Sequence, residues 1–186
     1  MIKDNFQELV SERVRIRRFA DADAAAFRAY RNDPEVARYQ SWISYAEDEA
    51  AEFVAIMKTT PVGVVGLGVQ LAIERHEDAL LIGDCYLSID RHERRQAEIG
   101  FTIARAWQGQ GYGTEAITLL LDYVFDVLKL HRITATADTR NAASAALMER
   151  LGMRREAHFR QHLWFKGEWA DDYVYAILQE EWRAGK

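Results

Sequence analysis

The segment Gln108, Gly109, Gln110, Gly111, Tyr112, Gly113, Thr114 carries the residue types that can hold an anion. Its glycines alternate with larger residues just ahead of a long apolar run. Without Cβ atoms the backbone can turn its amides inward, and the helix that follows adds free N–H groups and a partial positive charge. That combination suits phosphate. The same glycines would also make a tight strand-to-helix connection. Two other phosphate loops fit poorly. A P-loop needs GxxxxGK followed by Ser or Thr, and no Lys stands near this loop. A dinucleotide fingerprint would place its third glycine where Thr114 stands and an acidic residue ~20 positions on. Asp138 comes 29 residues after Gly109. Nucleotide hydrolysis and hydride transfer are therefore the weaker chemistries.

Alternation along Ala97 to Ile103 puts Glu98, Gly100 and Thr102 on one strand face and Ala97, Ile99, Phe101 and Ile103 on the other. Glu98 is expected to face away from the apolar side. There it could take a proton from an amine, attract a cationic acceptor, or stand as an ordinary solvated carboxylate. Asp84 and Tyr86 share a face of their own strand and are secondary candidates for substrate contact. His158 and His162 lie four residues apart on a strand, about 13 Å, too far to share an ion, so no metal is expected. Asn141 has the character of a helix N-cap.

The elements that position these groups follow from periodicity and caps. A strand is expected over Val14 to Phe19, then a helix capped by Asp21 through Tyr30, a short helix from Pro34, and a helix capped by Ser44 with Glu47 that runs to about Lys58. Val64 to Ile73 and Ala79 to Ile89 suggest an antiparallel hairpin, with Ala97 to Ile103 a further strand. Gly111 or Gly113 opens a largely buried helix to about Leu128. His131 to Asp138 is a strand, and Asn141 starts a helix that ends at Gly152. Two strands, Arg154 to Phe165 and Tyr173 to Gln179, then turn at Lys166 and Gly167. No repeat or linker divides the chain, so residues 1–186 are expected to form one α/β domain with a mixed sheet.

The pattern QxxGxG at Gln108 to Gly113, preceded by AEIGF at Ala97 to Phe101 and followed by NxxS at Asn141 to Ser144 and LG at Leu151 and Gly152, resembles the GNAT superfamily of acyl-CoA-dependent N-acyltransferases. Within it, RNDPEVARYQSW at Arg31 to Trp42 and the late stretch GEWADDYVYAIL are similar to the RimJ/RimL branch, which acetylates protein N-terminal amines. The resemblance implies a mixed, mostly antiparallel sheet with a splayed parallel strand pair, flanked by helices. It also implies that Gln108, Gly109, Gln110, Gly111, Tyr112, Gly113 and Thr114 bind the pyrophosphate of acetyl-CoA, the co-substrate. The pantetheine would add to the backbone of Phe101, Thr102 and Ile103, and Asn141 would bind its arm. Much of the superfamily has a Tyr acid where this chain has Met148. RimL relatives offer a Ser that Ser144 matches, so Ser144 is the candidate to hydrogen-bond the departing sulfur. The RimL carboxylate has Leu163 in its place, which leaves Glu98 as the candidate base. Trp42, in the family's substrate-covering region, would contact the acceptor with Asp84, Tyr86 and Glu98. Acetyl transfer would be direct, with Cys85 not catalytic. The alternatives are a small-molecule amine acetyltransferase acting on a polyamine, amino acid or aminoglycoside, or a non-catalytic acyl-CoA-binding regulatory protein.

Composition sets the outer limits. The chain has 186 residues, 49% apolar and 11% aromatic, with only 2 Pro. That excludes a disordered or fibrous chain and leaves enough length for a core without staples. The single Cys85 allows no internal disulfide and fits a reducing, cytoplasmic setting. Lys3, Asp4 and Glu8 stand where a secretory leader would be apolar, and no run reaches the ~20 apolar residues of a membrane span, so no membrane association is expected. A formal charge of −5 gives no general attraction to nucleic acid, though a local acidic face could receive a cation or a basic protein tail. The exposed terminal hairpin offers edges through which two chains could pair as a homodimer.

Overall fold

Strands form where β-branched and aromatic residues alternate, and they assemble into one twisted sheet. The computed structural model describes residues 6–185. Lys3 and Asp4, part of the stretch read for a leader, lie outside the described residues. The strands are β1 (Leu9–Val10), β2 (Val14–Arg17), β3 (Gly68–Arg75), β4 (Leu81–Ile89), β5 (Gln96–Ile103), β6 (Arg132–Asp138), β7 (Arg154–Phe165) and β8 (Glu168–Leu178). They run in the order β1-β2-β3-β4-β5-β6-β8-β7. Each adjacent pair is antiparallel except β5 and β6. The parallel pair needs a crossover, supplied by α4 (Tyr112–Asp122) with a wider π turn over Tyr123–Val127. Together these span the long helix expected from the sequence.

Two apolar layers sandwich the sheet. On one face α4 and α5 (Ala142–Arg150) bury Ile117, Leu120, Leu121 and Met148 against Ile99, Ile133 and Ile177. The i, i+3, i+4 spacing of the apolar residues of α4 makes that stripe. On the other face a smaller core joins α1 (Ala24–Arg31), α2 (Pro34–Ala37) and α3 (Glu47–Thr59) to the sheet through Phe27, Tyr30, Val36 and Val54. This second layer covers only part of its face. Beyond it Ser88, Glu98, Thr134 and Thr136 are half-buried or exposed.

Some boundaries differ from the sequence reading. The Asp21 cap is replaced by a 3-10 turn, Asp21–Asp23, in which Asp23 accepts from the Ala20 amide at 2.7 Å. For α3 the cap sits at Ala46 rather than Ser44, because the Glu49 carboxylate reaches the Ala46 amide at 2.7 Å. The strand expected from Val64 begins only at Gly68, Val65 making a lone bridge to Ile89. A last helix, α6 (Gln179–Ala184), takes over where β8 was expected to end, and it buries Trp182.

Candidate active site

The parallel pair holds for only three steps: Gln96 with Arg132, Ala97 with Ile133, and Glu98 with Thr134. Beyond that point β5 stays paired to β4 as far as Ile103, and β6 to β8 as far as Asp138. The strands therefore splay. Hydrogen-bonding groups of β5 on its β6 side have no neighbouring strand, which is a costly arrangement unless a ligand or water completes it. A small hollow of about 80 Å³ lies in the gap, bounded by Gly100, Phe101, Thr136, Asp138, Asn141 and Ser144. It meets a cavity of about 910 Å³ bordered by Phe101, Thr102 and Ile103 and by the glycine loop.

In the loop Gly109 and Gly111 hold φ of 73° and 88°, a left-handed backbone that favours glycine. The first intrahelical bond of α4 runs from the Glu115 amide to Gly111 O at 3.0 Å, so the amides of Tyr112, Gly113 and Thr114 precede the ladder and are unpaired by the helix, and Gly113 and Thr114 border the cavity. Gly113 serves a second purpose, since a Cβ there would stand 2.9 Å from Leu147 Cδ1 on α5. Gln108 fixes the turn by donating from Nε2 to Ile103 O at 2.8 Å. The Gln110 and Tyr112 side chains point elsewhere: Gln110 Nε2 donates to Ala106 O, and the Tyr112 ring packs edge-on to Trp107.

Three arginines that sequence spacing could not gather border the same cavity: Arg13, Arg105 and Arg150. Arg150 Nη1 donates to Thr114 Oγ1 at 3.1 Å, and Arg13 Nη1 to Gln110 O at 3.1 Å. Arg13 arrives from β2's approach, Arg105 from the 3-10 turn after β5 and Arg150 from the end of α5. A cluster of cations beside free helix amides is suited to the phosphates of a coenzyme. With the free strand edge it can hold acetyl-CoA.

Asn141 is the N-cap of α5, its Oδ1 accepting from the Ser144 amide at 3.1 Å, while it also borders both hollows. Ser144 borders both as well, and among the described residues its hydroxyl has no hydrogen-bond partner. Glu98 lies at the apex of the splay on the open face; partial burial among the neighbouring strands holds its carboxyl above the usual range. It borders neither hollow.

The remaining sequence candidates gather elsewhere. Asp84 is fully buried. It accepts from Arg31 Nη2 at 2.6 Å, from Gln70 Nε2 at 2.9 Å and from the Tyr30 hydroxyl, an arrangement that ties α1 to β4 rather than facing substrate. Its contact with a substrate is thereby corrected. Trp42 stacks on the Arg31 guanidinium, 3.7 Å from its ring centroid, and donates from Nε1 to Arg31 O at 2.9 Å. Tyr86 is half-buried against β3, where a Cβ at Gly68 would come 2.5 Å from its hydroxyl. Cys85 is buried with its thiol pushed far up by desolvation. Among the described residues no His, Cys, Asp and Glu side chains group to hold a metal ion, and no helix is long and apolar enough to cross a membrane.

Residues 13–154 match the Acetyltransferase (GNAT) domain family. The chain is 35% identical over 176 residues to the uncharacterized N-acetyltransferase YnaD of Bacillus subtilis (strain 168), covering 94% of this chain and 98% of that protein. It is 32% identical over 88 residues to the [Ribosomal protein uS5]-alanine N-acetyltransferase of Escherichia coli (strain K12), 47% of this chain and 45% of that one. Mycobacterium smegmatis RimJ in complex with CoA-disulfide superposes with a TM-score of 0.78 at 26% identity, over 90% of this chain and 83% of its own. By sequence and by the shape of its splayed sheet, the chain belongs to the GNAT acetyltransferase family, whose reaction is N-acetylation from acetyl-CoA.

Proposed function

We propose that the protein is a RimJ/RimL-type enzyme that moves acetyl from acetyl-CoA directly onto a protein N-terminal α-amine, without a covalent enzyme intermediate. The observation that carries this reading is the gap beyond Glu98 and Thr134, flanked by Ser144 at the coenzyme side and by an uncovered sheet face on the other. An extended chain end can reach that face without unfolding. The stretches RNDPEVARYQSW and GEWADDYVYAIL and the partial likeness to the uS5-alanine enzyme support the same acceptor.

Acetyl-CoA supplies a thioester that a neutral amine attacks, so that a C–N bond forms, the C–S bond breaks and coenzyme A leaves as the thiol. The loop amides and Asn141 orient the arm, and an unpaired β5 amide donates to the oxygen that gains charge. Ser144 Oγ hydrogen-bonds the departing sulfur. Glu98 takes the proton lost by the amine, directly or through one water, a role that its raised pKa suits. Cys85, sealed in the core, takes no part. The reading also has the enzyme work in the cytoplasm as a homodimer paired through the edge of β7, which light scattering of the purified protein tests.

An acceptor panel of peptides with free and blocked N-termini, polyamines and aminoglycosides, read by coenzyme A release, tests the acceptor. Release is expected only with free N-termini, and mass spectrometry should place acetyl on the α-nitrogen. Faster turnover of spermidine or an aminoglycoside would replace the protein acceptor with a small amine.

A further inference from the structure

Beside the glycine loop stands an acid, where an anion is to bind. Glu115 is the fourth residue of α4 and borders the large cavity with Gly111, Gly113 and Thr114. A carboxylate suits the bare helix start, whose free amides carry partial positive charge, but it repels a diphosphate drawn to the same amides. Only 19% of its side chain is exposed, so water and salt screen it incompletely. Burial alone would raise its pKa; the Ser11 hydroxyl and Arg13 hold the carboxyl below the usual range, so the charge is present.

Arg13 answers that charge. Its Nε and Nη2 each lie 2.7 Å from Glu115 Oε2. Its amide donates to Oε1 at 2.9 Å, where the Ser11 hydroxyl also donates at 2.7 Å. From the other arm of the guanidinium Nη1 donates to Gln110 O at 3.1 Å, and the group lies 4.8 Å from the Tyr112 ring centroid. One side chain thus spans the loop from Gln110 to Glu115. The tight turn between β1 and β2, closed by the Ser11 amide on Val14 O at 2.9 Å, brings it there. The other two arginines of the cavity differ. Arg150 donates to the neutral Thr114 hydroxyl, and among the described residues neither Arg105 nor Arg150 has an acidic partner. With Arg13 and Glu115 cancelling each other, those two cations and the helix amides leave the cavity rim positive. An ion pair with one partner as exposed as Arg13, at 45%, adds little to folding stability, so its effect belongs to binding.

We propose that Arg13 is a positioning residue for the coenzyme: it neutralises Glu115 and holds the Gln110 carbonyl, so that the loop presents a net positive face to the diphosphate. It acts through the loop and not as a phosphate ligand. The inference rests on the reading of Gln108 to Thr114 as the coenzyme loop.

The test is calorimetric titration of coenzyme A into wild type, Arg13→Gln, Glu115→Gln, the double variant and Arg13→Lys, each checked for folding by its melting curve. Arg13→Gln leaves the Glu115 charge facing the diphosphate alone and is expected to weaken binding about tenfold at low salt, with a smaller loss at about 0.5 M salt. Glu115→Gln should tighten binding about threefold, and the double variant should return to within about threefold of wild type. Arg13→Lys keeps the charge without the fork and should also stay within about threefold. A double variant as weak as Arg13→Gln overturns the proposal, since a phosphate ligand or a purely structural clamp would not be rescued by removing the acid. Wild-type affinity in Arg13→Gln, or a tenfold loss in Arg13→Lys, overturns it as well. Failure of wild type itself to bind coenzyme A would instead overturn the reading of the loop.

Discussion

The two ends of the cleft are built from different materials. At the proposed coenzyme end the groups offered to the ligand are mainly backbone, from the loop glycines, the first-turn amides of α4 and the open edge of β5, with three arginines around them. At the proposed acceptor end they are side chains drawn from β5, β6 and the start of α5, and α2 leads into Tyr39 and Gln40 at the rim. A diphosphate and a pantetheine arm are the same in every turnover, and amides held by secondary structure bind them whatever the neighbouring side chains are. An acceptor must be told from its competitors, which needs charges and shapes that a backbone lacks.

Beneath the acceptor end lies the largest test of this contrast. Asp84 is partnered by Arg31, Gln70 and Tyr30, whereas the Ser144 hydroxyl has no hydrogen-bond partner among the described residues, so removing Asp84 should act on stability and removing the Ser144 hydroxyl on turnover. Asp84→Ala leaves the Arg31 guanidinium buried without its anion and is expected to cost about 3–5 kcal/mol, measured by urea denaturation. A loss below about 1 kcal/mol would mean that water reaches Arg31 once the carboxylate is gone.

At the coenzyme end Gly111→Val meets both an unfavourable φ and Arg13 Nη2, which a Cβ would approach to 3.2 Å. Acetyl-CoA affinity should fall about 100-fold, roughly 2.7 kcal/mol, by calorimetric titration. Unchanged affinity would remove the loop from the site. Ser144→Ala should lower kcat about tenfold with KM for acetyl-CoA nearly constant, since the hydroxyl is needed mainly as sulfur departs. A rise in KM alone would make Ser144 a binding residue. Glu98→Gln should have the smallest effect at high pH and the clearest signature at low pH. The wild-type base works only when ionised, so kcat/KM falls as pH drops through its raised pKa, and the variant should lose that acid limb. Retention of the limb would assign it to another group.

What could be foreseen follows the same division. The strand–loop–helix order, the glycine loop and the Asn141 cap are local patterns, and each appears where residue types required it. Asp84 was misplaced because alternation tells which face a residue takes and not what covers that face; here Arg31 and Tyr30 arrive from α1, more than fifty positions away. The approach of His162 Nε2 to Asp172, 3.6 Å, depends on a bulge between Phe159 and Leu163 that interrupts a plain alternating run, and the approach of Arg13 and Arg150 to the loop depends on tertiary packing. The Ser44 cap lost to Glu49 because the acid could reach the Ala46 amide two residues closer to the helix.

The burial of Cys85 has a practical consequence. It is the chain's one thiol, fully enclosed and held in its protonated form by its surroundings. Maleimides and aromatic disulfide dyes attack thiolates, so the folded protein should be silent to them. Every equivalent of colour in such an assay then counts a released coenzyme molecule, and a slow rise without acceptor reports unfolding.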